Sequence, residues 1–149
     1  MNNISATDQR ALLTRLAERI IGYDPKVISE KGLWLAKLGI TDTVGVTLAG
    51  LPEASTQIAL GTPGVATAPG SALVFGTGRR TSALDAAFVN GIASHALDFD
   101  DFSSVFGGHQ SVPLVAPLFA LAEDRGLSGQ SLITAYAVGL EAEMRLARA

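Results

Sequence analysis

Cysteine is absent from the 149 residues, which excludes disulfides and thiolate metal sites and leaves packing to hold the fold. Charge is also scarce. Asp, Glu, Lys and Arg make up 17% of the chain, against roughly 25% in an average soluble domain. Hydrophobic residues reach 48%, and the mean hydropathy is +0.33. So few charges imply apolar surface that another subunit or further chain covers. A basic patch is missing too: the net charge is -3 and the Lys and Arg residues are scattered, so there is no electrostatic footprint for nucleic acid. No apolar run approaches the roughly 20 residues that cross a bilayer, because Gly, Pro or Asp interrupts each one. The start, MNNISATDQRALL, carries Asp8 and lacks the apolar stretch of a signal peptide, so a cytoplasmic protein without membrane contact is expected. Neither internal repeats nor low-complexity segments occur, and the length suits a single domain.

What is present reads mainly as helix. A capping-type start at Thr7-Asp8 opens ALLTRLAERIIG, with Leu12, Leu16 and Ile20 on one face and Gly22 as its end. Ser29-Glu30 starts a second pattern through GLWLAKLGITDTVGVTLAG, with Leu35, Leu38, Val46 and Leu48 as its expected core. Gly39, Gly45 and the threonines weaken a single-helix reading there, and Asp42 is expected to be a buried hydrogen-bond partner. Residues 61–80 are rich in Gly, Pro, Ser and Thr, which predicts an irregular connection with at most one short strand at Ala72 to Phe75. GTPGVATAPG within it lacks the lysine of a phosphate loop. Ser82 opens a small-residue helix that aligns Phe88, Ile92 and His95. Pro113 and Pro117 mark the first turn of the next helix, which Gly126 ends. Ser128 caps the last one, where Leu132, Tyr136, Gly139 and Met144 to Leu146 form a packed stripe and Glu141 pairs with Arg145. This last helix is expected to run through the final residues.

Between the last two prolines' helix and the one before it lies DFDDFSSVFGGH, residues 98–109. Asp98, Asp100 and Asp101 crowd four positions, and both histidines, His95 and His109, flank them. Crowded carboxylates repel, and a nearby imidazole offsets the charge while carrying protons near neutral pH, which is the chemistry of general acid–base catalysis. His109 precedes Ser111 and Pro113, where the free N–H groups of a new helix attract an anion. A substrate carboxylate held there would bring its neighbouring carbon to the imidazole, and Gly107-Gly108 allows close backbone approach. The competing reading is a solvated Asp-rich turn. His95 reads as a hydrogen-bonded core or cap residue. A metal is the weaker functional option, since there is no second histidine at helical spacing, no HExxH and no EF-hand pattern.

VNGIASHALDFDDF followed by GGHQSVPLVAPLFALAE resembles the MmgE/PrpD family, which includes 2-methylcitrate dehydratase and cis-aconitate decarboxylase. DTVGVTLAG and LVFGTGRRTSALDAAFVNG upstream, and AYAVGLEAEMRLARA downstream, extend the resemblance over nearly the whole chain. It implies an all-α, bundle-like part of the family's large helical domain over residues 1–149, with a strand or irregular segment near 65–80. It also implies lyase or isomerase chemistry on small di- and tricarboxylates, by dehydration, decarboxylation or epimerisation, without metal or cofactor and in a homodimer. An active-site aspartate falls at Asp98 and the first active-site histidine at His109. Phe102 stands where the family often has Thr, so a substrate hydroxyl contact is either lost or passed to Ser103, with Ser111 as a second substrate-binding candidate. Gln110 stands where Pro is usual. Relatives are about three times as long, so the chain is expected to be an N-terminal fragment of such an enzyme, without turnover in isolation. The alternative expectation is a non-catalytic helical module that associates with its missing half or another subunit.

Overall fold

The computed structural model describes residues 6–148, with side chains from residue 12 onward. Among the described residues, six helices carry the fold: α1 (Ala6–Ile21), α2 (Glu30–Gly50), α3 (Ala54–Gly61), α4 (Ala83–His95), α5 (Val112–Arg125) and α6 (Gly129–Leu146). One 3-10 turn at Pro25–Val27 links α1 to α2. The strands β1 (Ala72–Leu73) and β2 (Arg80–Thr81) pair antiparallel, Ala72 opposite Thr81. The architecture is therefore all-α with a minimal hairpin in the segment where a strand is expected. Helix starts follow local chemistry. Ser29, Ser82 and Ser128 each accept the backbone N–H three residues on, filling one of the orphan donors of the first turn. Gly126 takes the left-handed conformation that closes α5.

Helix α2 is continuous over 21 residues, although its glycines and threonines weaken a single-helix reading of the sequence. Thr43 and Thr47 return their hydroxyls to the carbonyls of Gly39 and Thr43, so neither competes with the helical backbone. The expected core face is also corrected. Leu35, Leu38 and Leu48 are exposed, and Ala36, Ile40, Thr43, Thr47 and Gly50 are buried. The buried side is the one with small residues, because small residues let neighbouring backbones come close. A Cβ on Gly50 would run into the carbonyl oxygen of Ala93 on α4, and one on Gly39 into the Tyr136 hydroxyl on α6. Asp42, expected inside, is exposed. Helix α3 had no sequence signal assigned to it.

Helix α4 lies at the centre, packed on α2, α3 and α5, while α6 rests on α2 and α5. Two apolar clusters result: one joins β1 to α4 and α5 through Ala72, Val74, Ala86, Val89 and Ala120. The other joins α2, α5 and α6 through Ala36, Ile40, Val115 and Tyr136. Buried Asn90 ties the hairpin to α4 by accepting from the Phe75 N–H and donating to the Leu73 carbonyl, which satisfies backbone groups that the two-residue strand leaves open. Two further expectations change: Pro117 lies inside α5 rather than in its first turn, and Leu146 is half exposed. Helix α6 ends at Leu146. The Thr7-Asp8 start falls within α1, which is already helical at Ala6, and its side chains lie outside the described residues.

Candidate active site

Two elements and one loop bring the site together. His95 is the final residue of α4, where the carbonyl end of the helix favours a cation. The chain then turns sharply at Asp98, whose φ of 57° is left-handed, a conformation that Asp tolerates better than most residues but that still carries strain. This turn carries Asp100 back beneath His95. From Ser103 to Gly108 the loop doubles on itself, with the Ser103 N–H donating to the Gly108 carbonyl at 3.0 Å. That fold-back returns His109 to the same place.

Asp100 is the centre of the cluster. Its carboxylate is wholly buried, with Oδ1 2.9 Å from His95 Nδ1 and Oδ2 2.9 Å from His109 Nδ1. His109 Nε2 lies 3.3 Å from Asp98 Oδ1. The imidazole rings meet edge to face with centroids 4.7 Å apart, and the exposed Phe102 ring covers His109 from another side at 5.7 Å. The expected pair, Asp98 and His109, is thus in contact. His95, expected to be a core or cap residue, is half exposed and belongs to the same cluster. The bridging role of Asp100 escaped the sequence reading; three acids in four positions was the signal, but only the turn at Asp98 decides which one goes inside.

Asp101 serves the scaffold beneath. It accepts from Gln110 Nε2 at 2.8 Å, the Ser111 N–H at 3.1 Å and the Ser111 hydroxyl at 2.6 Å. The start of α5 was expected to attract a substrate anion; it holds this carboxylate of its own chain instead, by the same attraction of a helix N-terminus for negative charge. Ser111 is fully buried and also bonds the Tyr136 hydroxyl at 2.6 Å, so the structure puts it under the site rather than on its surface. Ser103 is engaged within the loop, donating to Met144 Sδ and accepting from the Phe106 N–H. Burial pushes the Tyr136 phenol above its ordinary value, against the lowering effect of Ser111. On α6, burial first and the Asp101 charge second raise the Glu143 carboxyl to about 7. Its Oε2 is buried with no partner among the described residues, as is Gln110 Oε1.

Both imidazoles open onto a groove of about 810 Å³ whose walls are largely apolar, among them Phe88, Ile92, Val112 and Pro113. A larger groove of about 980 Å³ lies between α1, α2 and α6 but is lined by neither histidine nor by Asp98, Asp100 or Asp101; the chemistry-bearing side chains mark the smaller one as the site. His95, Asp98, Asp100 and His109 could also hold a divalent cation, with one ligand atom of each within 4.8 Å of the others. Of those groups, His95 Nδ1 already bonds the Asp100 carboxylate at 2.9 Å and His109 Nδ1 the Asp100 backbone carbonyl at 3.2 Å. What the arrangement offers directly is two imidazoles, oriented by carboxylates, at the mouth of an apolar groove. That combination suits moving protons on a bound small molecule.

No helix among the described residues is long and apolar enough to cross a membrane. A search of curated proteins finds no significant match. The MmgE/PrpD N-terminal domain matches residues 14–149, a span that holds every residue of the cluster, and the chain belongs to the MmgE/PrpD family.

Proposed function

We propose that this chain carries acid–base residues of a lyase-type or isomerase-type enzyme acting on small di- or tricarboxylates, in the cytoplasm and without metal or cofactor. The observation that supports it most is His109, held between Asp98 at Nε2 and Asp100 at Nδ1 and facing the groove. A ring fixed at both nitrogens has its orientation set before substrate arrives, which lowers the entropic cost of reaching a productive geometry. Asp98 is exposed and sets the charge and direction of that ring. His109 exchanges a proton with the substrate beside its carboxylate. The apolar groove wall excludes water and strengthens the electrostatic interactions within. Ser103 lines the loop next to Phe102 and is the candidate for a substrate hydroxyl contact, reached when its weak bond to Met144 opens.

The test is turnover of citrate-like tricarboxylates and shorter dicarboxylates, followed by proton NMR, for the chain and for the assembly it enters. His109→Ala is expected to lower turnover by about 10²- to 10⁴-fold, the usual contribution of a positioned acid or base. Unchanged turnover of every substrate would discard the role. A second reading, a non-catalytic helical module that binds its missing half or another subunit, is supported by a different observation. Trp34, Leu38 and Leu48 stand exposed on the outer face of α2.

A further inference from the structure

The acid–base reading uses one imidazole, yet the buried carboxylate of Asp100 grips two. We infer that His95 is a second catalytic residue of this site, a proton carrier whose ring Asp100 orients as a positioning residue; the inference rests on the reading just proposed. An ionised carboxylate accepts and cannot donate. Asp100 Oδ1 therefore takes an N–H from His95 Nδ1 at 2.9 Å, while His109 Nδ1 donates to the Asp100 backbone carbonyl at 3.2 Å, with Oδ2 at 2.9 Å beside it. A neutral ring that donates from Nδ1 bears its lone pair on Nε2. In His109 that nitrogen faces Asp98 Oδ1 at 3.3 Å. In His95 the Nε2 has no partner among the described residues, and 53% of the side chain is exposed.

The two rings thus differ in what they offer. His109 has a carboxylate oxygen near each ring nitrogen and is the proton donor of the pair in this scheme, and His95 presents a lone pair held from behind by a buried carboxylate, the relation of an oriented base to its third group. Both line one groove, with ring centroids 4.7 Å apart, so a single substrate carbon lies within reach of both. In the forward step the bond from that carbon to hydrogen breaks and a bond forms between the hydrogen and His95 Nε2. The electron pair stays on the carbon beside the substrate carboxylate. His109 then returns a proton to the carbon, and water restores the two rings to their starting states. Net proton exchange with solvent follows without any oxidant.

Two measurements decide this. The first is nitrogen NMR of the 149-residue chain labelled at histidine, which reads the neutral tautomer of each ring. His95 is expected as the Nδ1–H tautomer, the minor one in free histidine, and Asp100→Asn is expected to abolish that preference. A wild-type His95 in the Nε2–H tautomer, or one unchanged by Asp100→Asn, overturns the orientation. If Asp100→Asn fails to fold, the wild-type tautomer decides this point. The second is deuterium incorporation from solvent into citrate by the assembly that turns it over. His95→Ala is expected to lose about 10²-fold or more and to regain activity with added imidazole, which a merely structural histidine would not do. Full activity in His95→Ala, or a loss that imidazole does not restore, overturns the proton-carrier role while His109→Ala still reports on the broader reading. Wild-type protein that exchanges nothing sinks the broader reading and the carrier step together, and the tautomer alone then settles what Asp100 does.

Discussion

Glu143 shows how one side chain ties the site to solution pH. Burial raises its carboxyl to about 7 from an ordinary 4.5, and the nearby Asp101 charge adds to the shift. The folded chain therefore holds this proton more tightly than the unfolded chain does. The resulting stabilisation is complete below pH 4.5 and is lost as pH rises through about 7. Solvent screening at this partly exposed position reduces its size to on the order of 1 kcal/mol. Thermal unfolding is expected to show the wild-type midpoint falling between pH 5 and 8, with Glu143→Gln nearly flat over the same window because an amide stands in for the protonated acid. Parallel curves for the two proteins would show that Glu143 is not the source. The position illustrates what residue type alone reveals. Asp98 and His109 were legible because carboxylate and imidazole in one loop advertise proton chemistry wherever they fold. Glu143 was not, since its shift arises first from burial in the tertiary fold and second from the Asp101 charge 42 positions earlier, neither of which a local pattern reveals.

Between elements, the polar chain from α2 to the site runs through Tyr136. Its hydroxyl lies against Gly39 on α2 and bonds Ser111, and Ser111 in turn bonds Asp101, two residues before the loop's Ser103. A methyl group at Gly39 would take the place of that hydroxyl. Gly39→Ala is expected to cost about 1–3 kcal/mol, by overpacking and by displacing a buried hydrogen bond. Tyr136→Phe removes the obstructing atom, so the double variant is expected to be less destabilised than the two single losses added together. Denaturant melts of the four proteins measure this, and strict additivity would mean that the two positions do not share the contact. The same packing explains which helices the sequence predicted well. Ser29, Ser82, Ser128 and Gly126 were readable because a cap acts within one turn of its own residue. The buried face of α2 was not, because hydrophobicity points to Leu35, Leu38 and Leu48, whereas close approach to Ala93 and Tyr136 requires Gly50 and Gly39. His95 reads in the sequence as a hydrogen-bonded core or cap residue; it does end α4 and bond Asp100, but its place on the groove follows from tertiary packing that its spacing from Phe88 and Ile92 does not reveal.

At the scale of the molecule, the leucines displaced from the core need an account. Trp34, Leu38, Thr41, Gly45 and Leu48 follow spacings of four and three along α2, a single stripe opposite the buried Ala36, Ile40, Thr43, Thr47 and Gly50. Trp34 is 60% exposed, Leu38 51% and Leu48 47%, and a stripe of this period is the pattern by which helices pack against one another. Single exposed leucines are ordinary, but an aligned aromatic and two leucines in a chain with 17% charge are not. This stripe is the surface on which the association reading proposed above, with a missing half or another subunit, rests. Covering it would remove the apolar surface that too few charges leave open, at about 25 cal/mol for each Å² buried. Leu38→Asp sets a charge at the middle of the stripe and touches no buried residue of α2. Sedimentation velocity is expected to show wild-type association that depends on concentration, and a monomer of unchanged helicity for Leu38→Asp. A wild-type chain that remains monomeric at high concentration would assign the stripe to some other covering segment, and association that survives Leu38→Asp would move the interface to another face.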